Sequence, residues 1–275
     1  MRWSRNVGRF FGIDVDVHLS FLLLLAWVGI GALVDGGSLL AAALSVLFLV
    51  GVFASVVLHE LGHALTARAF GIRTRRILLL PIGGMAQLER MPRSPVVELV
   101  VALAGPAVSF ALGGVLMLAT GVLGAASAGA LPLVRMFFDS LAYANLVLGG
   151  FNLLPAFPMD GGRALRAFLA RRRPYLQATE LAVRVGKVVA VVLALVGIWT
   201  NPWLVAIAAF VWIAASAELR AIRIQAAAEA AARRMFALLQ SPHGPVYVDP
   251  FWGPVPPDAT IYDTTARPRP PPDLP

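Results

Sequence analysis

Two histidines and a glutamate lie together in one short segment, His59-Glu60-Leu61-Gly62-His63. On an α-helix, residues four apart share a face, so both imidazoles can bind one metal ion while Glu60 can reach a water molecule on it. A pair of merely hydrogen-bonded histidines is the alternative, but ionisable groups in an apolar segment are costly and usually functional. The pattern is typical of zinc, and it predicts His59 and His63 as ligands with Glu60 as the general base.

A hydrolytic zinc site takes three protein ligands and keeps one position open. The chain has no cysteine, so the third ligand must be a histidine or a carboxylate. We predict Asp160, which follows Pro155 and Pro158 in the segment NLLPAFPMDGGR. The two prolines remove backbone donors and break a helix at this point. The alternative role of Asp160 is to cap the next helix.

The elements that carry these residues are strongly apolar. The chain of 275 residues is 59% hydrophobic and 14% charged, which excludes an ordinary soluble domain. We predict an all-α polytopic membrane protein with about six transmembrane helices. The six apolar stretches are approximately residues 19–34, 39–70, 96–123, 133–158, 183–199 and 203–217.

The basic residues indicate the orientation. Most arginines lie before the first stretch or in segments 68–93, 163–187 and 220–234, all on one side of the predicted membrane. Positive charge is retained on the cytoplasmic side, so both termini are predicted to be cytoplasmic. The use of arginine over lysine and the richness in alanine favour a bacterial cytoplasmic membrane. This distribution accounts for the net charge of +8, so no nucleic-acid partner is predicted. It also places His59 and Asp160 at similar depths, toward the cytoplasmic side.

Between the second and third stretches, Gly83 and Gly84 lie in a segment too short and too rich in glycine to span as a helix. We predict a short re-entrant or extended loop whose backbone can pair with an extended substrate. An ordinary surface loop is the alternative. In the third stretch, Gly105-Pro106 predicts a kink or a close helix contact.

The predicted domains are a six-span domain at 1–219 with a catalytic core at about 39–165, a cytoplasmic helix at 220–241, and a Pro-rich disordered tail at 242–275.

With HELGH in one apolar stretch and NLLPAFPMDGGR closing a later one, the chain resembles the site-2 protease family of intramembrane zinc metalloproteases over residues 10–219. The resemblance implies one zinc ion per chain, bound by His59, His63 and Asp160, with Glu60 activating the attacking water. It also implies that Asn152, Gly83 and Gly84 bind the substrate, and that Asn152 helps to hold the substrate or the developing oxyanion.

The implied activity is hydrolysis of a peptide bond within or near the transmembrane segment of a membrane protein. The pattern is similar to the compact branch of the family, with neither an inserted PDZ domain nor appended CBS domains expected here. Two alternatives remain open: a divalent-metal transporter, and a non-catalytic relative that binds transmembrane helices. The oligomeric state and the natural substrate are not predicted.

Overall fold

The computed structural model describes residues 3–81, 83–88, 94–126 and 132–239. Seven helices and four strands lie within these ranges. In chain order they are β1 (Ser4–Phe10), β2 (Ile13–His18), α1 (Leu19–Val34), α2 (Leu39–Ala69), β3 (Thr74–Leu80), β4 (Gly83–Leu88), α3 (Pro95–Ala126), α4 (Pro132–Asn152), α5 (Asp160–Ala170), α6 (Tyr175–Thr200) and α7 (Pro202–Leu239).

Four helices are long and apolar enough to cross a membrane: α2, α3, α6 and α7. The helix α1 is apolar but shorter, with 16 residues. The helix α4 has 21 residues and carries an ion pair between Arg135 and Asp139 near its start. The predicted helical membrane fold is confirmed, and all six predicted apolar stretches are largely helical. The number of six spans is approximate, because four of these helices reach the length and hydropathy of a membrane span and α1 is shorter.

The predicted fourth stretch, 133–158, is longer than the helix that forms there. The helix α4 ends at Asn152, and α5 begins at Asp160. Pro155 and Pro158 lie in the non-helical segment between them, where neither can donate a backbone hydrogen bond. The predicted break therefore places Asp160 at the start of a new helix.

A four-stranded sheet in the order β1-β2-β3-β4 adds to the predicted helical fold. The strands β2 and β3 are parallel, and α1 and α2 form the long crossover that a parallel pair requires. Ile13 and Val15 of β2 and Ile77 of β3 are buried in one apolar cluster with Phe21 and Phe53 of the first two helices. This cluster holds the sheet against α1 and α2.

The helix α3 is central to the site because it packs against α2, α4 and α5. The histidines lie on α2 and Asp160 begins α5, so the packing of α3 controls how these groups meet. One compact unit of the chain ends at Arg223, within α7. The predicted cytoplasmic helix continues α7 as far as Leu239, whereas the predicted tail at 242–275 lies outside the described residues.

Candidate metal centre

Three predicted ligands from two helices converge on one point. His59 Nε2 and His63 Nε2 each lie 3.1 Å from Asp160 Oδ2, and the two nitrogens are 3.2 Å apart. All three residues are buried. The predicted helical spacing of the histidines and the predicted helix break before Asp160 together account for this meeting.

Asp160 does not act as a helix cap. The N-cap residue of α5 is Met159, which makes no side-chain capping bond, and Asp160 is the first helical residue. The carboxylate of Asp160 instead lies against the two imidazoles. The N-terminal end of a helix favours a negative charge, so α5 stabilises the ionised carboxylate where the ligand group needs it.

The hydrogen bonds on the far side of the imidazoles leave the facing nitrogens free to bind metal. His63 Nδ1 lies 2.7 Å from the carbonyl oxygen of Val101, which can only accept, so Nδ1 carries the proton and Nε2 has a free lone pair. His59 Nδ1 lies 2.8 Å from Ser109 Oγ, which can accept in the same way. Such outer partners are typical of metal-bound histidines.

The donor atoms fit a zinc ion in both type and spacing. With Nε2 unprotonated, acceptor atoms face one another, and a shared cation removes their repulsion. Ligands around tetrahedral zinc, with bonds of about 2.0–2.1 Å, are roughly 3.3 Å apart, and the three separations here are 3.1–3.2 Å. The group can therefore hold a metal ion.

Gly105 of α3 lies directly against the two histidines. A Cβ atom at this position would be 2.6 Å from His59 Nε2 and closer still to His63 Nε2. The predicted close helix contact at Gly105 is confirmed, and its partner is the metal-binding face of α2. Only a residue without a side chain leaves room for the ligand atoms here.

The predicted extended Gly-Gly segment is the edge strand β4, which lies over Glu60. The Ala86 backbone N–H donates a 3.2 Å hydrogen bond to Glu60 Oε2. A Cβ atom on Gly84 would be 2.8 Å from Glu60 Cγ, so the strand can approach this closely only with glycine. The structure therefore brings the predicted base next to the predicted substrate strand.

A cavity of about 420 Å³ adjoins these groups. Every site residue that the sequence analysis proposed lines it: His59, Glu60, His63, Gly83, Gly84, Asn152 and Asp160. Asn152 donates a 2.9 Å hydrogen bond to the carbonyl oxygen of Leu148, within α4. Glu98 and Arg163 also line the cavity, and sequence reasoning did not find them.

The fold and the site define a membrane protein in which two buried histidines and an aspartate, beside a glutamate, can hold a metal ion. The model of peptidase family M50 matches residues 47–127 and 120–195, which together exceed half of the chain. A solved structure of a site-2 protease from Methanocaldococcus jannaschii is similar, with a TM-score of 0.56 and 36% identity, covering 79% of this chain and 95% of that chain.

Several relatives are similar in sequence. A zinc metalloprotease of Methanocaldococcus jannaschii is 38% identical over 236 residues, which are 82% of this chain and 63% of that protein. Rip3 of Mycobacterium tuberculosis is 35% identical over 246 residues, or 82% of this chain and 61% of that protein. The chain thus spans about three fifths of the length of these relatives. It belongs to the site-2 protease family, peptidase family M50.

Proposed function

We propose that this protein is an intramembrane zinc metalloprotease that hydrolyses a peptide bond within or near the transmembrane segment of a membrane-protein substrate. The observation that carries the proposal is the convergence of the His59, His63 and Asp160 donor atoms in a cavity that Glu60 and an edge strand also line. A structural zinc site would be closed by a fourth protein ligand, whereas among the described residues the group has three.

His59, His63 and Asp160 would hold the zinc. When bound, the metal would polarise the scissile carbonyl and make water more acidic. Glu60 would accept a proton from the attacking water and deliver it to the leaving amine. The Ala86 N–H group holds one carboxylate oxygen of Glu60, so the side chain is oriented before the substrate binds.

The strand β4 would bind the substrate backbone. A transmembrane helix hides its carbonyl groups in its own hydrogen bonds, so the segment to be cleaved must first unwind. Among the described strands β4 pairs with β3 alone, and its other edge can pair with an extended peptide. Asn152 lines the same cavity, and its amide offers a second N–H and a carbonyl oxygen to a substrate or an oxyanion.

The distribution of arginine supports an orientation with both termini in the cytoplasm, and the use of arginine over lysine with the richness in alanine supports a bacterial host; both are part of this proposal. A metal transporter would need polar groups at successive depths along an ion path. Away from the ligands, the buried polar groups bind one another: Asn145 of α4 donates to Ser55 of α2 at 3.0 Å, and the buried charges of Glu98 and Arg166 are paired at 2.8 Å. The structure therefore favours hydrolysis over transport.

The test is the zinc content of detergent-purified wild type, Asp160→Ala and Glu60→Gln, measured together with cleavage of a panel of single-span membrane reporters. We expect about one zinc per chain in the wild type and in Glu60→Gln, and much less in Asp160→Ala. Cleavage should be lost in both variants. Well-folded wild type without zinc would contradict the proposal, and zinc uptake into vesicles that persists in Glu60→Gln would favour transport.

A further inference from the structure

The helix that begins with Asp160 carries a buried arginine within its first two turns. Arg166 Nε donates to Glu98 Oε1 at 2.8 Å, and Arg166 Nη2 lies 2.6 Å from the same oxygen. Arg166 Nη1 donates to Glu218 Oε1 at 2.5 Å. Glu98 lies on α3 and Glu218 on α7, so this one side chain ties α5 to two other helices.

The guanidinium group also contacts two aromatic rings. Its Cζ atom is 5.0 Å from the ring centre of Phe157, in the segment before α5, and 5.0 Å from that of Tyr175, the first residue of α6. Burial alone would lower the pKa of Arg166. The negative charge of Glu98 is the main effect that opposes burial, and the pKa of Arg166 lies above its ordinary value. The buried group is therefore a permanent cation with fixed neighbours.

A buried ion pair is weak evidence for stability, because apolar side chains of similar volume often stabilise a protein as well. The planar guanidinium group of Arg166, however, fixes the relative orientation of the groups to which it donates hydrogen bonds. Glu98 and Asp160 line the same cavity, so the ion pair adjoins the metal centre. Metal ligands must be placed to within about 0.2 Å, and the 11-residue helix α5 carries one ligand and Arg166 on its buried side.

We propose that Arg166 is a positioning residue. Its bonds to Glu98 of α3 and Glu218 of α7 fix the position of α5, and this holds Asp160 at the metal. This inference rests on the proposed metal centre. Arg166 touches neither the metal ligands nor the reacting atoms in this role. It acts on Asp160 through the placement of the helix.

The test compares the rate of zinc loss to a chelator in detergent-purified wild type, Arg166→Lys and Arg223→Lys. Lysine keeps the charge beside Glu98, but an ammonium group cannot reproduce the planar fork or stack in the same way. Arg223 makes a 2.7 Å ion pair with Glu180 at a more exposed position and provides a matched control. We expect about tenfold faster zinc loss in Arg166→Lys, as for outer partners of metal ligands, and wild-type behaviour in the control.

The melting temperature of the zinc-free proteins separates positioning from stability. The inference predicts faster zinc loss in Arg166→Lys at temperatures well below its melting transition, whereas a lower melting temperature with wild-type zinc retention would assign a structural role and overturn it. If Arg166→Lys does not fold, Glu218→Ala tests the same point, because it removes the tie to α7 and leaves the pair with Glu98. Faster zinc loss supports the inference and wild-type retention overturns it. Wild type that retains no zinc would overturn the metal centre first and this inference with it.

Discussion

Replacing Gly105 by alanine tests the metal centre from a helix that supplies no ligand. The new Cβ atom would lie 2.6 Å from His59 Nε2 and closer to His63 Nε2, while real Cβ atoms essentially never have such contacts below 3.0 Å. The His59 contact must therefore lengthen by at least about 0.4 Å, and by about 0.9 Å to reach an ordinary separation of roughly 3.5 Å. Metal–ligand distances tolerate about 0.2 Å. We expect zinc affinity to fall by more than about 100-fold, beyond the usual effect of outer partners.

The helix itself should not suffer from this substitution, because alanine is favoured over glycine in a helix interior by about 0.5–1 kcal/mol. Gly114→Ala is the matched control, since it lies on the same helix and a Cβ atom there meets nothing within 4 Å. The assay is zinc per chain after gel filtration in detergent, with circular dichroism on the same samples. Gly114→Ala should retain wild-type zinc, and Gly105→Ala should lose it with its helical signal intact.

Retention of wild-type zinc by Gly105→Ala would refute this reasoning. It would mean that α3 does not approach the facing nitrogens of α2 as closely as the structure shows, or that these nitrogens are not the metal donors. Loss of helical signal in Gly105→Ala but not in Gly114→Ala would assign the close contact to helix packing rather than to metal binding.

Two further substitutions test the groups around the ligands. Ser109→Ala removes the hydrogen-bond partner of the His59 imidazole, so zinc affinity measured by chelator competition should fall about 10- to 100-fold. The control is Ser216→Ala, which loses only a hydrogen bond within its own helix. Equal zinc affinities in the two variants would contradict the orienting role of Ser109. Gly84→Ala forces a Cβ atom against Glu60 and should keep zinc while lowering the reporter cleavage rate by up to about 100-fold. Gly150→Ala, in open space, should leave the rate unchanged, and zinc loss in Gly84→Ala would show that the effect is not on the base.

The parts of the site that could be predicted depend on short spacing along the chain. The four-residue interval between His59 and His63 defines a shared face once the segment is helical. The prolines before Asp160 predict the helix break that leaves this residue at the start of α5. Both patterns are local, so they can be recognised in the sequence without knowledge of how the helices pack.

The parts that could not be predicted depend on contacts between distant segments. Ser109 meets a residue 50 positions away, and the Val101 contact uses a backbone carbonyl, which has no signature in a sequence. The alternating segment at Ile13–His18 does indicate a strand, but its parallel partner becomes available only through the crossover of α1 and α2. The sequence groups Arg166 with the cytoplasmic charges of segment 163–187, because nothing local distinguishes a buried arginine from an exposed one.

The contacts of α3 nevertheless follow one rule that the structure makes visible. Val101, Gly105 and Ser109 are four residues apart, so they form one stripe on α3, and the histidines form the matching stripe on α2. Residues at the two ends of the stripe hold the outer imidazole nitrogens, while the glycine between them leaves space for the inner ones. A side chain at Gly105 and the loss of the Ser109 hydroxyl should therefore impair the same property, metal retention, by opposite means. One crowds the donor atoms and the other releases them, because the two helices together define where the lone pairs point.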